Sequence, residues 1–163
     1  METKVLIPVD TGRNSLTAEE YAVKLHLRMP LKVTLLNVLN KKRLEGRGIS
    51  LTDQETILAG MSRLAGEVLA KAGEPFQKAQ IEFDTRIEQG SPGLAICRMA
   101  QDENYDMVII TQSGLSEWEE ILGGSVVRVV LQKCAVPVLL VKHSPERLQA
   151  LRDERAKDAL LPR

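Results

Sequence analysis

Aromatic residues are scarce: two Phe, two Tyr and one Trp serve 163 positions, a poor supply for a site that stacks a flavin ring between aromatic faces. Cysteine is nearly absent as well. Cys97 and Cys134 lie in apolar helical stretches and form no CxxC, so they read as reduced core residues rather than a disulfide or a redox pair. An excess of one charge is missing too, because 22 Lys+Arg balance 22 Asp+Glu. That balance argues against nucleic acid or an anionic membrane as the main partner, since either would favour a basic surface. No apolar run approaches the roughly 20 residues of a membrane span. The start Met1-Glu2-Thr3-Lys4 runs straight into an apolar strand, without the charged lead-in of a signal peptide. His26 and His143 have no His or Cys at ligand spacing, and no metal site is assigned to them. These absences predict a soluble, cytoplasmic, single-domain protein.

What is present alternates between two periods. Val5 to Val9, Val33 to Leu39, Met107 to Ile110 and Val136 to Val141 are short apolar runs, as strands buried on both faces require. Ile81 to Glu88 alternates apolar with charged residues and reads as a half-exposed edge strand. Between the strands come helical patterns. Ala18, Tyr21, Ala22 and Leu25 mark the first, with Thr17 to Glu20 at capping-box spacing. Thr52 and Glu55 predict the start of the longest helix, whose apolar face runs from Ile57 to Ala72 and stops at Gly73 as a C′ residue. Gly90-Ser91-Pro92 supplies a turn, an N-cap and a proline at the first helical position. Ser125 to Cys134 is rich in valine yet keeps a helical period, and is read as helix. Strands and helices in this order mean an α/β sandwich with a mostly parallel sheet. The remainder, 144–163, is a charged tail with a weak Leu148/Leu151 stripe, read as a solvated helix or a frayed end.

The chemistry is expected at the carboxyl ends of the strands, where ligands sit in such sheets. Asp10 ends the first strand, and Thr111-Gln112-Ser113-Gly114 follows the fourth. Nine residues later Gly124-Ser125 opens a helix, whose unpaired N–H groups and positive dipole end suit a phosphate. A carboxylate repels phosphate, so Asp10 belongs near the nucleoside or a metal ion, and Gly124-Ser125 near the phosphates. The cluster Lys41-Lys42-Arg43 with Arg47 is read as a solvated loop, and Trp118 either as a cover for the site or as loop packing.

Residues 1–143 resemble a universal stress protein domain. The likeness rests on Ile7-Pro8-Val9-Asp10, Leu36-Asn37-Val38, Gly90-Ser91-Pro92, and the block Gly114, nine residues, Gly124-Ser125, followed by Val136 to Val141. The nucleotide-binding branch of that family carries G-x-x-G, nine residues, G-[S/T]; this chain departs at Thr111, where the family has glycine. The resemblance implies a three-layer sandwich on a five-stranded parallel sheet of order 3-2-1-4-5, of the adenine nucleotide alpha hydrolase-like kind. It implies an ATP site, with or without Mg2+, in which Pro8, Val9, Asp10 and the backbone of Val38 line the nucleoside. Ser113, Gly114, Gly124, Ser125 and Val126 would hold the phosphates, and the Thr111 hydroxyl could bond a phosphate oxygen. It also implies a homodimer joined through Val136 to Val141, and a protein partner that the sequence does not identify.

No Walker A lysine and no nucleophile–base pair is visible. The reading is therefore a binding module in stress response or signalling rather than an enzyme. Slow ATP hydrolysis, and a nucleotide-free dimeric interaction protein whose site Thr111 has closed, stand as the alternatives.

Overall fold

The computed structural model describes residues 2–10, 16–40, 48–112, 124–146, 149–150 and 153. In chain order it runs β1 (Thr3–Pro8), α1 (Leu16–His26), β2 (Leu31–Leu39), α2 (Leu51–Lys78), β3 (Phe83–Gln89), α3 (Pro92–Asp102), β4 (Met107–Thr111), α4 (Gly124–Lys133) and β5 (Val138–Val141). The strands form one sheet of order β3-β2-β1-β4-β5, and every pairing is parallel. That is the predicted order.

Strand alternation explains the three layers. Val5, Ile7 and Val9 of β1, Leu31, Val33 and Leu35 of β2 and Ile109 of β4 share a core with Ala18 and Ala22 of α1 and Leu69, Ala72 and Phe76 of α2. The intervening residues Leu6, Leu36, Val108 and Ile110 face the other way, onto Ile96 and Ala100 of α3 and Val127 and Val130 of α4. A period of two on strands wedged between helices leaves no polar face, which is why the inner strands read as continuous apolar runs. β3 is the exception, with most of its residues exposed at the sheet edge.

Pro8 decides where the sheet opens. In β1 the amides of Thr3 and Val9 donate toward the β2 side, to Pro30 O and Leu36 O, while the Lys4 amide points the other way, to Asp106 Oδ2. By that alternation the nitrogen of Pro8 faces β4, and proline has no hydrogen to give. The β1–β2 pairing accordingly runs from Thr3 to Pro8, whereas β1 and β4 are in register only at Val5↔Met107 and Leu6↔Val108. The central strand keeps one neighbour to its end and parts early from the other.

The long helix differs from expectation at both ends. Its N-cap is Ser50, whose Oγ accepts from the Asp53 amide at 3.1 Å, two residues ahead of the predicted Thr52–Glu55 box. At the far end α2 runs through Gly73 and Pro75 to Lys78. Gly73 is small for packing, not for turning: a Cβ there would stand 2.4 Å from Cζ of Phe83, whose ring lies 5.6 Å from that of Phe76. The helix closes instead on Gln80 at φ 56°, with Ile81 N donating to Phe76 O and Gln80 N to Gln77 O. This is a Schellman turn carried by a non-glycine residue. Asn104 ends α3 in the same way, at φ 53°. β5 also starts later than the run Val136 to Val141 suggested, because Pro137 serves as its threshold, accepting from Val108 N at 2.9 Å.

The two kinds of helical glycine should respond oppositely to alanine. Gly73→Ala forces the Phe76/Phe83 ring pair apart and is expected to cost about 1–3 kcal/mol. Gly66→Ala, on an exposed stretch of α2 with nothing within 4 Å of the new methyl, should gain up to about 1 kcal/mol. Urea denaturation of both variants checks the pair, and equal effects would refute the packing role of Gly73.

Candidate functional site

A helix that links two adjacent parallel strands must start at their carboxyl edge and run back. α4, which links β4 to β5, therefore opens at the carboxyl edge of the sheet, and Gly124 is its first residue, with Ser125 and Val126 in the same turn. Val126 is half-buried against the α3/α4 core. The sheet order sets Val38 on β2, Pro8 to Asp10 on and after β1, and Thr111 on β4 at three neighbouring strand ends. Eight of the ten residues that the sequence nominates thus lie at the carboxyl edge of the sheet. The side chains of Gly124 and Ser125 lie outside the described residues, as do Ser113, Gly114, Trp118 and the Lys41-Lys42-Arg43 and Arg47 loop.

Each strand end is held by a specific contact. Val9 is buried, its amide donates to Leu36 O at 2.8 Å, and its carbonyl accepts from Asn37 Nδ2 at 2.7 Å. The buried Asn37 amide thereby extends the β1–β2 ladder by one side-chain rung and presents Asp10, which is exposed, at the edge. One residue past β2, the Asn40 Oδ1 is buried and accepts no hydrogen bond. Thr111 lies within β4, opposite Val141, in an extended strand conformation. Its branched side chain is not forced into the left-handed region that would have made threonine unfit for a glycine position; among the described residues only Gln80 and Asn104 carry a positive φ without being glycine.

Two groups at this edge escaped the sequence pattern. Thr17 is no cap: its hydroxyl shares a 2.9 Å hydrogen bond with Nδ1 of His143, tying the first turn of α1 to the chain beyond β5. His143, two residues past β5, is buried. Glu19 was hidden by its own helix periodicity, which gave no reason to bury a carboxylate. It is 1 % exposed, and its Oε2 has no hydrogen-bond partner. Burial pushes its pKa from 4.5 up to about 8, opposed by its own backbone amide and reinforced by the negative charges of Asp10 and then Glu20. The carboxyl is thus mostly protonated at neutral pH.

Elsewhere the chain offers less. His26, the last residue of α1, is half-buried and accepts from the Leu31 amide through Nδ1 at 3.1 Å. Cys97 and Cys134 are free thiols. Burial, then the neighbouring Cys97, raises the Cys134 pKa and leaves it a poor nucleophile. An open groove at the opposite, amino-terminal edge is lined by Glu2, His26, Lys32, Gln80, Glu82 and Asp84 among others, a mixed-charge set at the wrong end of a parallel sheet for a ligand. Among the described residues no three His, Cys, Asp or Glu side chains gather to hold a metal ion, and no helix is long and apolar enough to cross a membrane.

Glu19 makes stability depend on pH with a defined sign. Its folded pKa, about 8, lies above the ordinary 4.5, so the folded state holds the extra proton. The stabilisation from that proton is whole below about pH 4.5 and gone once the pH has passed about 8. Unfolding free energies of the wild type and Glu19→Gln should therefore diverge by on the order of 1 kcal/mol per pH unit inside that window, in favour of Gln as pH rises. Urea titrations at pH 5, 6 and 7.5 measure the slope; parallel curves would show that the carboxyl is not held protonated.

Comparison with known proteins matches this geometry. The chain is 26% identical over 161 residues to the universal stress protein MJ0577 of Methanocaldococcus jannaschii, covering 88% of this chain and 96% of that protein. A solved structure of MJ0577 superposes with a TM-score of 0.75 at 23% identity, covering 89% of this chain and 99% of the other. A universal stress protein solved in complex with cAMP gives 0.65 at 19% identity over 88% and 98% of the two chains. One from Archaeoglobus fulgidus in complex with dAMP gives 0.61 at 19% identity over 86% and 98%. All share the adenine nucleotide alpha hydrolase-like sandwich. The family description that matches is that of the universal stress proteins, and it spans residues 1–142, from the first strand to the residue after β5. The chain belongs to the universal stress protein family.

Proposed function

We propose that this protein binds an adenine nucleotide, ATP with or without Mg2+, in the crevice where β1 and β4 part, and that it acts as a cytoplasmic binding module in stress response or signalling. The observation that carries the reading is the start of α4 at Gly124, on the edge that the Pro8 break opens. Free N–H groups of a ten-residue helix there favour an anion. Pro8, Val9, Asp10 and Val38 line the nucleoside side. The phosphates lie between Thr111, Ser113 and Gly114 on one flank and Gly124, Ser125 and Val126 on the other. The unpaired Asn40 Oδ1 is an acceptor fit for a donor on the ligand, and the relatives solved with cAMP and dAMP lend support to an adenine nucleotide as that ligand.

The domain of 1–143 provides the site, while the tail of 144–163 is a separate charged appendage. A homodimer through the segment Val136 to Val141 follows from the same family logic. Its physical motive is that, among the described residues, β5 pairs with β4 alone, and an open strand edge is a hazard that pairing with a second copy removes.

Calorimetric titration of the nucleotide-stripped protein with MgATP and then AMP tests the reading. Saturable heat for ATP, weaker for AMP, is the expected result; no heat and no melting shift at millimolar ATP would overturn it. A Thr111→Gly variant that gains binding beside a silent wild type would establish instead a closed site in an interaction protein. Phosphate release proportional to protein and lost in Asp10→Ala would mark a slow ATPase.

A further inference from the structure

Glu19 is a buried acid with no assigned task. It stands in the first turn of α1, next after the chain leaves Asp10, with 1 % exposure and an Oε2 that meets no donor. A carboxylate cannot stay ionised in such a place without a cation or several donors. Among the described residues no donor meets Oε2. β2, β4, β5 and α2 give the shared core Val33, Ile109, Val141 and Leu69, and the charges that bear on Glu19 are Asp10, two residues past β1, and Glu20 from its own helix, both negative. His143, beyond β5, is a further titratable group at this end, engaged with Thr17.

We propose that the Glu19 carboxyl is a proton-bearing positioning group of the nucleotide site, so that an adenine nucleotide binds beside Asp10 only together with one proton on Glu19. The inference rests on the nucleotide reading above. Its reasoning is electrostatic. The charge of Asp10 already opposes ionisation of Glu19, and a polyanion brought to the same edge raises the cost of that second charge further. Neutral Glu19 leaves Asp10 as the single acid at the nucleoside; ionised Glu19 adds a negative charge under a ligand that is itself negative. Binding and protonation of Glu19 then favour each other by linkage.

Calorimetry of MgATP binding in two buffers of different ionisation enthalpy at pH 8.5, and of the dissociation constant from pH 7.5 to 9.5, reads that linkage directly. The wild type should take up a fraction of a proton per nucleotide, and its affinity should weaken by well over tenfold across the range. Glu19→Gln, neutral at every pH, should show no uptake beyond zero and a flat profile; Glu19→Leu, suited to an apolar setting, serves if the glutamine variant does not fold. A purely structural Glu19 would shift the melting temperature of these variants and leave the heats of the wild type independent of buffer. Binding without proton uptake overturns the role of Glu19 and leaves the nucleotide reading standing, whereas no binding at any pH overturns both.

Discussion

The structure depends on a hydrogen bond that β1 cannot make. A central parallel strand normally donates alternately to both neighbours, and at Pro8 the donation toward β4 is absent because the residue has no amide hydrogen. β1 therefore stays married to β2 through Pro8 and separates from β4 after Leu6. Asn37 reinforces the retained side by holding the Val9 carbonyl. The two pairings of β1 are thus unequal in length, at the point where the chain changes from winding toward β3 to winding toward β5.

Packing keeps the split rigid. Each inner strand sends alternate side chains into two separate cores, so neither face of the sheet can slide without disturbing the other. Close approach of helices to the sheet and to each other is bought by glycine at two places, Gly73 under Phe83 and Gly93 under Val129. Helix ends are then turned by residues that tolerate the left-handed region, Gln80 and Asn104, rather than by glycine.

Where the sequence carried a period, the structure could be read from it. The apolar runs of β1, β2 and β4 and the alternation of β3 announced both the parallel sheet and its exposed edge, because burial on two faces and on one face leave different patterns. The valine-rich 126–130 stretch was readable as helix only through spacing, against its strand-like composition. Gly73 misled because one residue type serves two purposes, and only the ring of Phe83, ten positions on, tells them apart. The strand ends and the helix start at Gly124-Ser125 were legible in the sequence. Glu19 was not, since a glutamate in a helical run looks the same on a solvated face as under a sheet. Nor was His143, whose partner Thr17 is 126 positions away.

The Thr17–His143 bond bears on how the chain can be cut and joined. The regular secondary structure of the sheet ends at Val141, yet the last residue that belongs to it is His143, which closes over the beginning of α1. A domain boundary drawn at the end of the strand would remove that closure and leave the Thr17 hydroxyl without its ring nitrogen. Shuffled, tagged or fused forms of this domain should keep two residues more than the strand itself requires.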